Sequence, residues 1–211
     1  MNNLIGNMSN HHFICGLTRS GKSYFAQKAL LQKPAGVLYM NIQGEDLDPR
    51  FMTVRTDEIQ FIQLLEALHE GVKIDLQFAN QKMAYEGTAG YILEKLTQSG
   101  GFDEYRPVYV AVDECHLLTG PSREAARMVS TAGLKKGIRC VWITQRPALC
   151  DKTIYTQALE HYIFYIPPAD KEYMRTKGLD YDKCLELWGP AGSHQYVYYN
   201  GRDLIGRPAI K

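Results

Sequence analysis

Short apolar runs and segments with a helical period alternate along nearly the whole chain. The run "HHFIC" (residues 11–15) leads through a glycine-rich turn into "SYFAQKALLQK", which carries a helical period and stops at Pro34. "GVLYMNI" predicts a second strand. "DEIQFIQLLEALHEG" places Ile59, Ile62, Leu65 and Leu68 on one helical face and ends at Gly71. "VKIDLQFA" predicts a strand, and "MAYEGTAGYILEKLTQSGG" a helix closed by glycines. "PVYVAV" and "IRCVWIT" are continuous apolar runs, the pattern of strands buried on both faces, and the helix "SREAARMVSTAGLKK" lies between them. "HYIFYI" predicts a last central strand, stopped by Pro167 and Pro168. Two short helices, "ADKEYMRTKG" and "YDKCLELWG", follow it, and "HQYVYYNGRDLIG" predicts a hairpin turning at Asn200 and Gly201.

Strands alternating with helices predict an α/β fold. The central sheet should be mostly parallel, with helices on both faces and a C-terminal β-hairpin, in one domain over residues 1–211. Architecture of that kind leaves function open. A length of 211 residues supports one well-buried domain, and 45% hydrophobic with 22% charged residues is ordinary for a soluble globular protein. No apolar stretch approaches the roughly 20 residues that span a bilayer. The N-terminus, "MNNLIGNMSN", lacks the basic-then-apolar order of a signal peptide, so a cytoplasmic location is expected. A net charge of +1 without a block of like charge leaves any nucleic-acid contact to local placement of Lys and Arg. Arg50, Lys73, Lys135 and Lys171 are candidates, each also readable as solvated surface. The five cysteines are scattered and odd in number, the usage of reduced structural thiols.

The turn after the first strand reads "GLTRSGKS": Gly16, Leu17, Thr18, Arg19, Ser20, Gly21, Lys22 and Ser23. This is the Walker A spacing, in the strand–turn–helix setting it requires. Glycines let the backbone curl so that successive N–H groups point at phosphate oxygens, and the following helix adds its positive end. Lys22 is a point charge for the β- and γ-phosphates, and the Ser23 hydroxyl is placed to ligate Mg²⁺. The turn therefore points to a nucleoside triphosphate, ATP in the first instance.

Asp113 and Glu114 end the apolar run "PVYVAV". Ligands of open parallel sheets sit at the carboxyl ends of strands. One carboxylate there can hold Mg²⁺, directly or through water, and a second can polarise water for in-line attack on a γ-phosphate. Asp113 takes the metal role and Glu114 the general-base role, with Glu114 as a helix cap the alternative. His116 is within reach by sequence, as a packing or supporting residue; His11 and His12 receive no role. "IRCVWIT" ends in Thr144, Gln145, Arg146 and Pro147. A neutral amide at that point can bond both γ-phosphate and attacking water, or it can be a polar strand end without contact to nucleotide.

A glycine-rich cradle, a buried strand ending in Asp-Glu and another ending in "TQRP" together resemble the FtsK–HerA superfamily of P-loop ATPases. The small size looks most like the genome-packaging ATPases of membrane-containing icosahedral (double jelly-roll) viruses. The resemblance runs from about His12 to the hairpin and includes "FYIPPADKEYMRTKG". It implies a RecA-like sheet in which the Gln145 strand separates the Asp113–Glu114 strand from the cradle strand. It implies an ATPase that pumps double-stranded DNA, in a ring that is usually hexameric, with Gln145 as sensor and an arginine supplied in trans. Arg139 is the first choice for that arginine, with Arg146 and Arg127 as alternatives. Implied partners are capsid-vertex or portal-like viral proteins; the implied location is the host cytoplasm, with incorporation at a virion vertex. Three other readings stay open: a filamentous-phage-type assembly or secretion ATPase, a thymidine-kinase-like nucleoside kinase, and a non-catalytic nucleotide switch. The kinase family usually carries paired cysteines, which this chain lacks, and does not end a strand in T-Q-R-P.

Overall fold

The computed structural model describes residues 9–189 and 193–209; the signal-peptide reading of residues 1–8 lies outside them. In chain order the elements are β1 (His11–Cys15), α1 (Lys22–Leu31), β2 (Val37–Asn41), β3 (Met52–Arg55), α2 (Phe61–His69), β4 (Lys73–Gln77), α3 (Gln81–Met83), α4 (Ala89–Ser99), β5 (Val108–Val112), α5 (Gly120–Ala132), β6 (Ile138–Thr144), α6 (Lys152–Gln157), β7 (Ala158–Phe164), α7 (Lys171–Thr176), α8 (Tyr181–Leu187), β8 (Tyr196–Tyr199) and β9 (Leu204–Arg207). The strands form one sheet in the order β3-β4-β2-β5-β6-β1-β7-β8-β9. Pairings from β3 through β7 are parallel, and the hairpin β8–β9 adds to β7 antiparallel. β6 thus separates β5 from β1, the order the family resemblance implies.

Successive residues of a strand face opposite sides of the sheet, and the core divides accordingly. Ile14, Val37, Tyr39, Ala111, Val141 and Ile143 pack under α1 through Phe25, Ala26, Ala29 and Leu30. Phe13, Leu38, Met40, Val110, Val112 and Trp142 share the other core with residues of α2, α4 and α5 such as Leu68, Leu93, Leu96 and Val129. Burial on both faces is why β5 and β6 read as unbroken apolar runs.

Helices α4 and α5 approach closely at Gly90, where a Cβ would stand 2.6 Å from the Ser122 Cα. The Ser122 hydroxyl accepts from the Gly90 amide at 3.0 Å and donates to the Ala84 carbonyl at 3.2 Å. Those bonds serve backbone groups beside the π-helical turn Ala84–Thr88, which joins α3 to α4. Beyond β7, the Trp188 indole donates to the Ile163 carbonyl and the Tyr181 hydroxyl to the Ile166 carbonyl. The α7–α8 segment is thereby fastened to the sheet's carboxyl end.

Several expectations are corrected. Ile62 is 56% exposed; α2 starts at Phe61 and buries Leu64, Leu65 and Leu68. β3 and α6 carry no pattern that announced them: β3 is a mostly exposed edge strand and α6 has six residues. The last central strand begins at Ala158 and not at His161. The hairpin loop spans 200–203, where the Asn200 side chain accepts from the amides of Arg202 and Asp203. Cys15, Cys115, Cys140, Cys150 and Cys184 are free and buried, as reduced thiols should be.

His11, His12 and His161 are buried in the sheet, and burial lowers their pKa values to about 4, about 3 and about 4. An unfolded histidine titrates near ~6.5. The stability these residues contribute is therefore present above that pH and lost as pH falls below it. Asp113 and Glu160, raised chiefly by burial, act in the opposite sense and return part of the loss. We expect urea denaturation to give an unfolding free energy that falls from pH 7 to pH 5, by about 1–3 kcal/mol per pH unit. His161→Phe should remove about one proton from that slope, and an unchanged slope would mean that His161 is charged in the fold.

Candidate active site

The cradle begins where β1 ends. Gly16 donates its amide to the Thr144 carbonyl of β6 at 3.2 Å, and Leu17 donates to the Tyr165 carbonyl after β7 at 2.9 Å. The turn is thus held on both sides by the strands that flank β1. Gly16 has φ 151°, and a Cβ there would meet the Phe164 Cβ at 2.5 Å and the Ser20 hydroxyl at 2.9 Å. Gly21, at φ 99°, opens α1 in the left-handed region that favours glycine. The first intrahelical bond runs from the Phe25 amide to the Gly21 carbonyl. The earlier amides of the helix therefore stand at a positive end suited to an anion. Lys22 is buried, with its ammonium 3.3 Å from the Leu17 carbonyl, within the cradle. The Ser20 hydroxyl is buried with no hydrogen-bond partner among the described residues.

Asp113 and Glu114 follow β5 at the same end of the sheet, both buried. Glu114 has φ 50°, a costly backbone conformation for a residue with a Cβ. Its side chain makes no capping bond, so the helix-cap alternative fails. Instead, its carboxylate receives the Gln145 side-chain amide at 2.5 Å and the Gln145 backbone amide at 3.3 Å, and the His116 Nδ1 lies 3.1 Å away. His116 Nδ1 is also 3.0 Å from the Thr144 hydroxyl. The supporting role open to His116 in the sequence is the one its contacts fit.

Gln145 links the two halves of the site. Its amide nitrogen donates to Glu114, and its amide oxygen accepts from the Thr18 hydroxyl of the cradle. The end of β6 is thus tied through Gln145 both to the cradle and to Glu114. Thr18, Arg19, Gly21, Lys22, Ser23, Glu114 and Gln145 line a cavity of about 800 Å³, together with Tyr24, Glu45 and His194. The last three carry no motif in the sequence.

The two acids are driven apart in pKa. Burial, then the neighbouring Glu114 charge, pushes Asp113 up to about 6. Burial also raises Glu114, but bonds from His116 and Gln145 outweigh it and hold Glu114 below the usual range. Glu114 is therefore ionised at neutral pH, and it is a weakened proton acceptor as long as Gln145 and His116 bond it. Ser23 and Asp113 offer hard oxygen donors of the kind Mg²⁺ takes. They are neighbours of one group, the Tyr39 hydroxyl, which lies 3.2 Å from Asp113 Oδ2 and beside the Ser23 side chain. These residues fit Mg²⁺.

The arginines separate. Arg146 is exposed at the rim of the cavity side of β6. Arg139 stands at the other end of β6, about 20 Å from Gln145 along the strand, with one guanidinium nitrogen buried and unpaired among the described residues. Arg127 is held by Asp151 and Glu124. Of the basic residues considered for nucleic acid, Arg50 pairs with Asp48, Lys171 with Asp182, and Lys73 bonds the Ala35 and Gly71 carbonyls.

No protein-family model matches the chain, and no curated protein sequence does. Solved structures do match. The genome-packaging NTPase B204 of Sulfolobus turreted icosahedral virus 2, in complex with sulfate, aligns with a TM-score of 0.69 at 13% identity, over 97% of this chain and 98% of that one. Its complex with AMPPCP aligns at 0.68 and 14% identity, over 97% and 100%. EssC (ATPases 2 and 3) from Geobacillus thermodenitrificans aligns at 0.61 and 12%, over 96% of this chain and 40% of that one. TcpA, the pCW3 conjugation coupling protein, aligns at 0.60 and 15%, over 98% and 62%. The chain has the fold of these P-loop NTPases.

The close approach at Gly16 has a measurable cost. Gly16→Ala should destabilise by about 3 kcal/mol, combining left-handed strain with overlap on Phe164. That corresponds to a Tm lowered by about 6–12 °C in thermal unfolding. Gly44, at φ 70° with nothing within 4 Å, provides the control; Gly44→Ala should cost about 1 kcal/mol. Equal losses in the two variants would refute the close-approach argument.

Proposed function

We propose that the protein is an ATPase that couples hydrolysis to translocation of double-stranded DNA, in the manner of a viral genome-packaging motor. The observation that carries the reading is Gln145, bonded at once to the cradle through Thr18 and to the candidate base Glu114. A phosphate arriving in the cradle competes with both bonds. The state of the γ-phosphate is thereby coupled to the basicity of Glu114 and to the end of a central strand. The fold likeness to a genome-packaging NTPase supports the choice of motor over kinase.

In this reading the amides of the cradle and Lys22 bind the β- and γ-phosphates, Ser23 and Asp113 hold Mg²⁺, and Glu114 accepts a proton from the attacking water. Mg²⁺ supplies neutralisation of charge on the phosphate oxygens. His116 orients Glu114, and Gln145 releases it when γ-phosphate is present. Subunits form a ring, six in number by family resemblance, around DNA. A capsid-vertex protein is the partner and the host cytoplasm or virion vertex the location. Arg139, remote from its own site, is the first candidate for a cation offered to a neighbour, and Arg146 the second.

A second reading is an assembly or secretion ATPase, because the fold is shared with ATPases other than packaging NTPases, EssC among them. The test is ATP turnover with and without duplex DNA. Stimulation by DNA is expected; absence of stimulation would favour the second reading, and turnover that requires a nucleoside would favour a kinase.

Three variants test the chemistry. Lys22→Ala should weaken nucleotide binding. Glu114→Gln should retain binding and lose turnover, because an amide cannot accept the water's proton; wild-type turnover in that variant would remove Glu114 from the mechanism. Gln145→Ala should still bind ATP and lose DNA-stimulated hydrolysis by at least about tenfold, equivalent to about 1.4 kcal/mol of barrier. Normal basal and stimulated rates would refute the sensor role.

A mixing experiment tests the trans arginine. A cation at the γ-phosphate accelerates hydrolysis by roughly 10³ to 10⁵. Arg139→Ala subunits with Glu114 intact are combined with Glu114→Gln subunits with Arg139 intact. Partial return of activity in mixed rings is expected. Return with Arg146→Ala subunits but not with Arg139→Ala would move the role to Arg146, and no return with either, in rings shown to be mixed, would mean that both arginines act in cis or not at all.

A further inference from the structure

Tyr39 lies in the middle of β2, fully buried, with its ring edge-on to Phe51 at 6.0 Å between centroids. β2 is the neighbour of β5 on the side away from β6. That position carries the phenol under α1, on the face of the sheet that the helix covers, and Ser23 lies in the first turn of that helix. The Tyr39 hydroxyl donates to Asp113 Oδ2 at 3.2 Å, and the Ser23 side chain stands beside the same hydroxyl. The other oxygen of Asp113 accepts the Glu114 amide at 2.9 Å. Both carboxylate oxygens are thus committed, one to the backbone that carries the candidate base and one to a phenol locked in the core.

Resting on the ATPase reading above, we propose that Tyr39 is the positioning residue of the cation site: its hydroxyl holds the Ser23 and Asp113 oxygens, which come from different elements, facing one another. A buried phenol needs a hydrogen-bond partner in any protein. Here its partner is Asp113 and its polar neighbour is Ser23, the two groups proposed to meet Mg²⁺. Groups that orient ligands from behind typically govern metal affinity by about 10- to 100-fold. Phenylalanine would fill the same ring space and remove only the hydroxyl, so the two roles of the residue, packing and orientation, can be separated.

The experiment is a titration of a fluorescent ATP analogue against wild-type protein, Tyr39→Phe and Phe51→Leu, in EDTA and across Mg²⁺ concentrations. Thermal unfolding verifies that each variant is folded. Tyr39→Phe should bind the nucleotide in EDTA as the wild type does and need about tenfold more Mg²⁺ for half-maximal enhancement. Phe51→Leu, which disturbs the ring's seat and keeps the hydroxyl, should match the wild type in Mg²⁺ dependence. Unshifted Mg²⁺ dependence in Tyr39→Phe overturns the inference. So does an equal shift in Phe51→Leu, or a loss of affinity for Tyr39→Phe already present in EDTA, since either would mark a packing role. Absence of Mg²⁺-dependent nucleotide binding in the wild type would overturn the proposed function as well.

Discussion

The Gly16 amide donates to the Thr144 carbonyl, and the site is organised around that bond. It welds the first residue of the cradle to the last residue of β6, the strand that delivers Gln145. Parallel pairing of β1 with β6 and of β6 with β5 then lines up three carboxyl ends in one mouth. Backbone hydrogen bonds of a buried sheet are costly to leave unmade, so the register is firmly specified. Gly16 is what permits the approach, because any Cβ at that point would collide with Phe164.

Strain and polarity are concentrated at this mouth. Glu114 and Arg19 hold positive φ angles, and three acids, Glu45, Asp113 and Glu114, lie near one buried lysine, Lys22. The rest of the core supports such a site: apolar faces above and below the sheet, and the aromatic packing of Phe25, Tyr162, Phe164 and Tyr196 that seats the hairpin against β7 and α1. Residues at the opposite end of the sheet, among them His11, His12 and Arg139, are buried or half-buried without joining the site.

Gln145 is the one side chain that bonds both the cradle and Glu114 among the described residues. It clasps Thr18 and Glu114 together, and Glu114 is held as a hydrogen-bonded, acidic carboxylate. In the proposed function, a ligand that competes for the same amide would free Glu114 and act on the end of β6. That is the minimum required for nucleotide chemistry to be felt by a neighbouring segment, because a ligand moves an equilibrium only through contacts that differ between its states.

The spacing of Gly16, Gly21, Lys22 and Ser23 was legible from the sequence, as were the acids after one buried run and the amide after another. Local pattern sufficed there, since a turn is built from consecutive residues and a doubly buried strand must be apolar throughout. β3 and α6 were not legible, because an exposed edge strand and a six-residue helix carry too little periodicity. Nor were Tyr39, Glu45 and His194. Tyr39 reads as one more apolar position of a strand, yet it bonds a carboxylate 74 residues away. Whether such a side chain meets an active site depends on which strand lies beside which, and on which of two faces it occupies. Strand order is decided by long-range backbone pairing, which the hydrophobic period of a single segment does not encode.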